Sequence, residues 1–196
     1  MEKINFIKTF IPQGDFREKY EHGGMMVRHL AAVLDEKMGA YECYECTVPI
    51  GEYDEGEIQK AFVEFSAKMD ALKLKQAKAD KIAEITAYDT SSSVNGFILN
   101  GLLVWLDKAT RVGLMNSTTI AKAAGQKTTT LWLGGIKLVV DCDKAIQLLS
   151  ALEMYALECF NVTASHKQAV SELTTIEEVE AYNYKSGYPK MLEMSV

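Results

Sequence analysis

The sequence predicts an α+β fold, and three observations lead to this class. Two apolar hairpins in the C-terminal half turn at Asn100-Gly101 and at Gly134-Gly135, pairs that accept the positive φ angles of a type I′ turn. Each hairpin is followed by an acidic residue and a helical pattern, and a long helical pattern precedes both. The predicted parts are an N-terminal α/β unit at residues 1–53, a helical connector at 54–90 and a duplicated hairpin-helix domain at 91–196.

The N-terminal unit is predicted to mix short strands with one helix. A strand opens at Ile4 and ends before the turn at Pro12. Apolar residues between 25 and 37 recur at spacings of three and four, which predicts a helix with one apolar face. Residues 41–48 are rich in β-favouring side chains and predict a strand that Pro49 ends.

The connector begins at a capping box formed by Asp54 and Glu57. Its apolar residues then step by four and three, as in a coiled-coil seam: Ile58, Phe62, Phe65, Met69 and Leu72. Two interpretations remain open. The helix runs unbroken to about Tyr88 as a spacer, or it folds back in two pieces broken near residues 73–78.

The two hairpins and their helices form a repeated unit. Strands are expected at residues 97–99 and 102–106, with Asp107 as the cap of the first helix, and at 128–133 and 136–140, with Asp141 or Asp143 as the second cap. The second helix carries a broad apolar face that includes Cys159, so this thiol is expected in the core. A capping box at Thr174 and Glu177, or at Thr175 and Glu178, predicts a short last helix.

Composition restricts the class of protein. The chain has 196 residues, 48% of them hydrophobic, and a net charge of −6, so it can bury a core but offers no basic surface for nucleic acid. No apolar run is long enough to span a membrane, and the first residues lack the pattern of a signal peptide. The expected location is a cytoplasm, with no membrane partner.

Four residues form the candidate metal site: Cys43, Cys46, His22 and His29. The two-residue gap between the cysteines matches a zinc half-site. A strand is the simpler interpretation of the same residues, and positions three apart on a strand face opposite sides. A small metal- or ligand-binding regulator built on these four residues is the alternative function.

No motif in the sequence predicts catalysis or a cofactor. Phosphate-binding loops, dinucleotide fingerprints and nucleophile elbows are absent from the sequence. Ser165 and His166 are neighbours on a predicted helix, where consecutive side chains point about 100° apart and cannot pair. The protein is therefore expected not to be an enzyme.

Several segments of the C-terminal half resemble a bacteriophage family of uncharacterised domains. They are residues 105–115, beginning Trp-Leu-Asp-Lys-Ala-Thr, residues 128–132 and 151–163, the Ser-His-Lys at 165–167, and residues 181–189, and the resemblance covers about residues 80–190. Such domains occur in tailed phages and prophages, often near tail-fibre genes and on proteins similar to tail-fibre assembly chaperones. The family has no established reaction.

The resemblance implies a non-enzymatic phage tail or tail-fibre accessory protein, either an assembly chaperone or a minor virion component. It would act in the host cytoplasm by protein–protein contact, as a homo-oligomer or bound to an oligomeric fibre. The alternative is incorporation into the virion tail. The candidate contact residues are Trp105, Arg111, Trp132, Tyr184 and Tyr188. Strand alternation favours a core position for both tryptophans over a recognition face. For the tyrosines, a lid on the core is favoured over a contact surface, because most clustered aromatic residues pack within their own domain.

Overall fold

A computed structural model describes residues 4–9, 16–19, 24–35 and 40–196. Helices and strands are both prominent, which confirms the α+β class. The chain divides into two compact units, unit 1 at residues 1–75 and unit 2 at 76–196. The division lies within the predicted connector.

In the described part of unit 1, four strands form an antiparallel sheet in the order β1-β4-β3-β2. They are β1 (Ile7–Thr9), β2 (Phe16–Lys19), β3 (Gly24–Asp35) and β4 (Ala40–Pro49). Helix α1 (Glu55–Asp89) follows the sheet. The strand predicted at residues 41–48 is therefore confirmed as β4.

The predicted helix at residues 25–37 is wrong, because its residues 25–35 belong to strand β3; residues 36–37 lie outside the described residues. β3 pairs along its length with β4, from Gly24 opposite Pro49 to Asp35 opposite Ala40. The pairing shifts register between Leu30 and Ala32, and again three residues later. A bulge adds one residue to a strand and interrupts the alternation of side chains between its two faces. Apolar residues three apart are therefore also compatible with a bulged strand.

Helix α1 begins as predicted and is continuous to Asp89. The Asp54 side chain accepts from the Glu57 backbone N–H at 2.8 Å, and Glu57 accepts from the Asp54 N–H at 2.9 Å, which completes the capping box. The residues of the supposed coiled-coil seam pack instead on the sheet of unit 1. Ile58 is buried there, with Phe62, Phe65 and Met69 against the same cluster, while Leu72 is 48% exposed. Packing within unit 1 thus uses four of the five seam residues.

A buried carboxylate lies at one end of the same sheet face. Glu42 is only 4% exposed and forms ion pairs of 2.7 Å with both Lys8 and Lys73. The hydroxyl of Tyr44 donates to Glu42 Oε1 at 3.4 Å. Burial alone would raise the pKa of this carboxyl, but the hydrogen bonds and positive charges of Lys73 and Lys8 outweigh it and lower the pKa.

Unit 2 continues from the last turns of α1. Its elements are α2 (Ser92–Asn95), β5 (Gly96–Leu99), β6 (Leu102–Trp105), α3 (Lys108–Ala123), β7 (Thr128–Leu133), β8 (Ile136–Asp141), α4 (Cys142–Glu172), α5 (Ile176–Ala181) and β9 (Leu192–Met194). Residues 76–196, all of them described, hold a three-stranded sheet β6-β5-β9 and the hairpin β7-β8. Both predicted hairpins are confirmed. The short helix α2 and the strand β9, which pairs parallel to β5, were not predicted.

The predicted helix caps in unit 2 are confirmed at the atomic level. Asp107 accepts from the Thr110 N–H at 2.8 Å, and Asp141 accepts from the Asp143 N–H at 2.8 Å. Thr175 and Glu178 form the complete capping box of α5. These contacts satisfy N–H groups that have no partner within their own helix.

The core of unit 2 lies between the two hairpins and α4. Eleven buried side chains form one cluster: Phe97, Leu99, Val104, Leu106, Leu131, Leu133, Val140, Ala145, Leu148, Leu149 and Leu152. Cys159 is also fully buried on α4, as predicted, beside Val94 and Tyr155. The repeated hairpins therefore share a core and do not form separate modules.

The two glycines of the second turn differ in what surrounds them. Both have positive φ, 58° at Gly134 and 87° at Gly135. A Cβ at Gly134 would lie 2.9 Å from Val104 Cγ1, a buried side chain of the first hairpin, whereas one at Gly135 would meet nothing within 4 Å. Gly134 is thus a point of close approach between the hairpins.

We expect Gly134→Ala to lower the free energy of unfolding by about 2 kcal/mol more than Gly135→Ala. Both alanines would have strained positive φ, but only the first also displaces Val104. Urea unfolding followed by tryptophan fluorescence measures the difference, since Trp105 and Trp132 both lie in unit 2. Equal losses in the two variants would contradict the close approach.

Candidate partner-binding site

Unit 2 contains a cavity of about 570 Å³ beside the end of the first hairpin. This volume is within the range of pockets that bind small ligands or inserted side chains. Its apolar lining comes from Trp105, Leu106, Ala156, Leu157 and Phe160. Trp105 is 40% exposed and Phe160 60% exposed, so large apolar side chains form its rim.

The two sides of the cavity come from different elements. Trp105 ends β6, and the turn into α3 follows with Asp107 as cap. On α4, Glu153, Ala156, Leu157 and Phe160 lie at helical spacings of three and four, so they share one face of the helix. This face adjoins the line of Ala145, Leu149 and Leu152 that enters the core, and Leu157 and Phe160 on it remain exposed.

Arg111 lines the cavity and is 8% exposed. Its Nε donates to Glu153 Oε1 at 2.9 Å, and its Nη1 donates to the carbonyl oxygen of Leu106 at 2.8 Å. Its Nη2 has no hydrogen-bond partner among the described residues. Because a guanidinium carries five N–H donors, three of them are left for a ligand or water.

Three carboxylates and two cations line the same cavity: Asp89, Asp107, Glu153, Lys108 and Arg111. Asp89 Oδ1 accepts from the Thr163 hydroxyl at 2.8 Å. Hydrogen bonds from Thr110 lower the pKa of Asp107, which therefore holds its negative charge. With Arg111 already paired to Glu153, the lining has an excess of one negative charge.

The structure places the predicted contact residues at different sites. Trp105 is at the cavity rim and Arg111 is buried below it, held by intramolecular bonds, so Arg111 offers a partner only the donors that face the cavity. Trp132 is 59% exposed on the outer face of the second hairpin, opposite Lys137 on the neighbouring strand. The core position favoured for the tryptophans is therefore wrong, because alternation turns Val104, Leu131 and Leu133 inward instead.

Tyr184 and Tyr188 pack within unit 2. Their rings make edge contacts with Tyr88, at centroid distances of 5.6 and 5.7 Å. The Tyr188 hydroxyl lies 3.0 Å from Thr163 Oγ1, and burial raises the pKa of Tyr188. His166 holds the same segment, with Nδ1 2.9 Å from the Tyr182 hydroxyl and Nε2 2.9 Å from the Ser186 carbonyl oxygen. These contacts agree with a lid on the core.

Three of the four candidate metal residues lie in the described part of the chain. Cys43 and Cys46 are both buried on β4, and Cys46 belongs to the core cluster that faces α1. His29 lies on β3 opposite Tyr44, and His22 lies outside the described residues. Among the described residues, no three His, Cys, Asp or Glu side chains are grouped to hold a metal ion.

The sequence also carried a signal for cavity residues that were not predicted. Leu157 and Phe160 are apolar positions of α4 that lie off its core line, and both are exposed. An apolar residue outside the predicted buried stripe indicates a second face. Asp89 and Glu153 had no such signal, because only the folded chain brings them to Trp105.

Comparisons with known proteins place the cavity within one family match. A family model described as a domain of unknown function, DUF4376, matches residues 76–184, which include every residue that lines the cavity. No curated protein and no solved structure matches the chain. In the part of the chain that is described, no helix is long and apolar enough to cross a membrane. Because the family model covers more than half of the chain, the protein belongs to the DUF4376 family.

Proposed function

We propose that the protein is a non-enzymatic accessory protein of a bacteriophage tail or tail fibre, acting as an assembly chaperone or as a minor virion component. It works by contact with another phage protein, in the host cytoplasm during assembly. The sequence resemblance over residues 80–190 supplies the biological context. The observation that carries a contact role is the exposed apolar rim of the cavity.

The rim has the properties of a protein-binding site. Trp105, Leu157 and Phe160 are large side chains that remain between 40% and 60% exposed around a concave surface. Aromatic side chains beside a pocket are the type of residue that dominates binding energy at interfaces. The apolar seam of α1 is used within unit 1, so it supports the contact less well than this rim does.

The test is association with the fibre and tail proteins encoded in the same genome. Each is co-expressed with the full chain, and complexes are measured by size-exclusion chromatography with light scattering. We expect a stable complex with a fibre protein, and replacing both Trp105 and Phe160 by alanine should weaken it at least about tenfold, as loss of a hot spot does.

Trp132→Ala is the matched control, since Trp132 is 59% exposed, close to the 60% of Phe160, but lies on the other hairpin. It should leave the affinity within about twofold of the unchanged protein. If Trp132→Ala alone abolishes the complex, the contact lies on the outer face of the second hairpin. If no tail or fibre protein binds, the proposed function is refuted.

A further inference from the structure

We infer that the cavity of unit 2 binds a short segment of the partner protein that carries a lysine or arginine beside an apolar side chain. This inference rests on the proposed function, because it names the chemistry of the partner at the same rim. Three features of the cavity carry it: the charge of its lining, its aromatic rim, and the unused donors of Arg111.

The charge of the lining favours a cationic ligand. Arg111 is compensated by its ion pair with Glu153, which leaves Asp89 and Asp107 against Lys108 alone. Asp89 Oδ2 and Glu153 Oε2 accept no hydrogen bond from any described residue. A lysine or arginine side chain would therefore gain carboxylate partners, whereas an acidic side chain would meet excess negative charge.

The apolar rim fits the same ligand. Trp105 and Phe160 can accept a cation over a ring face, an attraction that strengthens when water is displaced. Leu157 and Ala156 offer apolar surface to a neighbouring aliphatic side chain, or to the methylene stem of the lysine or arginine itself. The carboxylates and the rings thus recognise the charged end of one side chain, and Leu157 and Ala156 its apolar stem.

The unused N–H donors of Arg111 suit the backbone of a peptide ligand. Arg111 is more than nine-tenths buried and lines the cavity, and its Nη2 is without a partner in the described structure. Its charge is already paired, so the unused N–H groups suit a neutral acceptor such as a peptide carbonyl oxygen. A peptide supplies this acceptor, but a free amine or metal ion does not.

The test measures binding of defined peptides to the full chain by tryptophan fluorescence. Trp132→Phe leaves Trp105 as the sole tryptophan of the sequence, so the signal reports the cavity rim. The probes are acetyl-Leu-Lys-Leu-amide and acetyl-Leu-Glu-Leu-amide, which differ only in the central charge. We expect the lysine peptide to bind at least about tenfold more tightly than the glutamate peptide.

Variants that remove a negative or a positive charge from the cavity lining then test the preference for a cationic peptide. Asp107→Asn keeps an N-cap oxygen and Asp89→Asn keeps an acceptor for Thr163, so each removes charge with little change of structure. The double variant should reduce the preference for the lysine peptide by about fivefold, and Lys108→Gln should increase it by about twofold. Asp143→Asn, which removes one charge outside the cavity lining, is the matched control and should leave the preference unchanged.

The outcomes separate this inference from the proposed function. A glutamate peptide that binds as tightly as the lysine peptide, or a preference that survives the double variant, overturns the inference. If neither peptide binds while a fibre protein still binds through Trp105 and Phe160, the inference is also overturned and the proposed function stands. If the lysine peptide binds but no tail or fibre protein does, the site stands and the proposed function fails.

Discussion

Replacing Leu149 by alanine is expected to lower the free energy of unfolding of unit 2 by about 3 kcal/mol. Leu149 is 1% exposed in the cluster that joins both hairpins to α4. Truncation removes buried apolar surface and leaves a cavity that the surrounding strands can fill only in part. Urea unfolding monitored by the fluorescence of Trp105 and Trp132 measures the loss.

Met154→Ala is the matched control for this substitution. Met154 lies on the same helix but is 60% exposed, and alanine favours a helix at either position. The control should change the free energy of unfolding by no more than about 0.5 kcal/mol. Similar losses at the two positions would show that α4 does not present Leu149 to the core.

Replacing Glu42 by glutamine is expected to destabilise unit 1 by roughly 2 kcal/mol near neutral pH. Glutamine keeps the size of the side chain but removes the charge shared by Lys8 and Lys73, whose side chains are 29% and 34% exposed. The lysines then lose their common partner while they remain partly withdrawn from water. Hydrogen–deuterium exchange of β4 (Ala40–Pro49) measures the effect, because both tryptophans lie outside unit 1.

The pH dependence of this effect has a definite sign. The pKa of Glu42 is lower in the folded protein than its ordinary value of 4.5. Its contribution to stability is therefore fully present above that value and is lost as the pH falls through the lower, folded pKa. The difference between the unchanged protein and Glu42→Gln should shrink as the pH is lowered below 4.5.

Glu52→Gln provides the comparison for Glu42. Glu52 is exposed in the same unit, and its neutralisation should leave exchange in β4 unchanged at both neutral and acidic pH. The ion pairs of Glu42 do not stabilise unit 1 if β4 is equally protected from exchange in the Glu42→Gln and Glu52→Gln variants. The same conclusion follows if the destabilisation by Glu42→Gln grows as the pH falls.

The elements predicted correctly share a local cause. Asn100-Gly101 and Gly134-Gly135 form their turns because their backbones accept positive φ, and Asp107 and Asp141 cap helices through N–H groups two or three residues away. The same holds for the start of α1 at Asp54. None of these features needs a distant part of the chain.

Strand β3 shows where local pattern fails. The spacing of its apolar residues matches a helix. Its backbone instead pairs with β4, with two shifts of register, so the segment forms a strand. The propensity difference between helix and strand amounts to tenths of a kcal/mol per residue, whereas a paired strand satisfies backbone groups along its whole length. Strand β9 was missed for a related reason, since its parallel partner β5 lies 95 residues earlier in the chain.

The candidate site depended even more on tertiary structure. Trp105 and Arg111 could be singled out from the sequence, but their opposite environments could not, because exposure depends on which strand face meets α4. Glu153 became relevant only when α4 placed it 2.9 Å from Arg111, a residue forty-two positions away. Phe160 and Asp89 reach the cavity in the same way.

Local sequence signals were enough to specify the hairpins, the helix caps and the start of α1, because these follow from turn chemistry, capping and periodicity over a few residues. Tertiary structure alone decided that residues 24–35 form a strand, that the seam of α1 is used within unit 1, and that an acidic, aromatic-rimmed cavity lies beside Arg111. These features arise from contacts between residues far apart in the chain, where burial and pairing outweigh local preference.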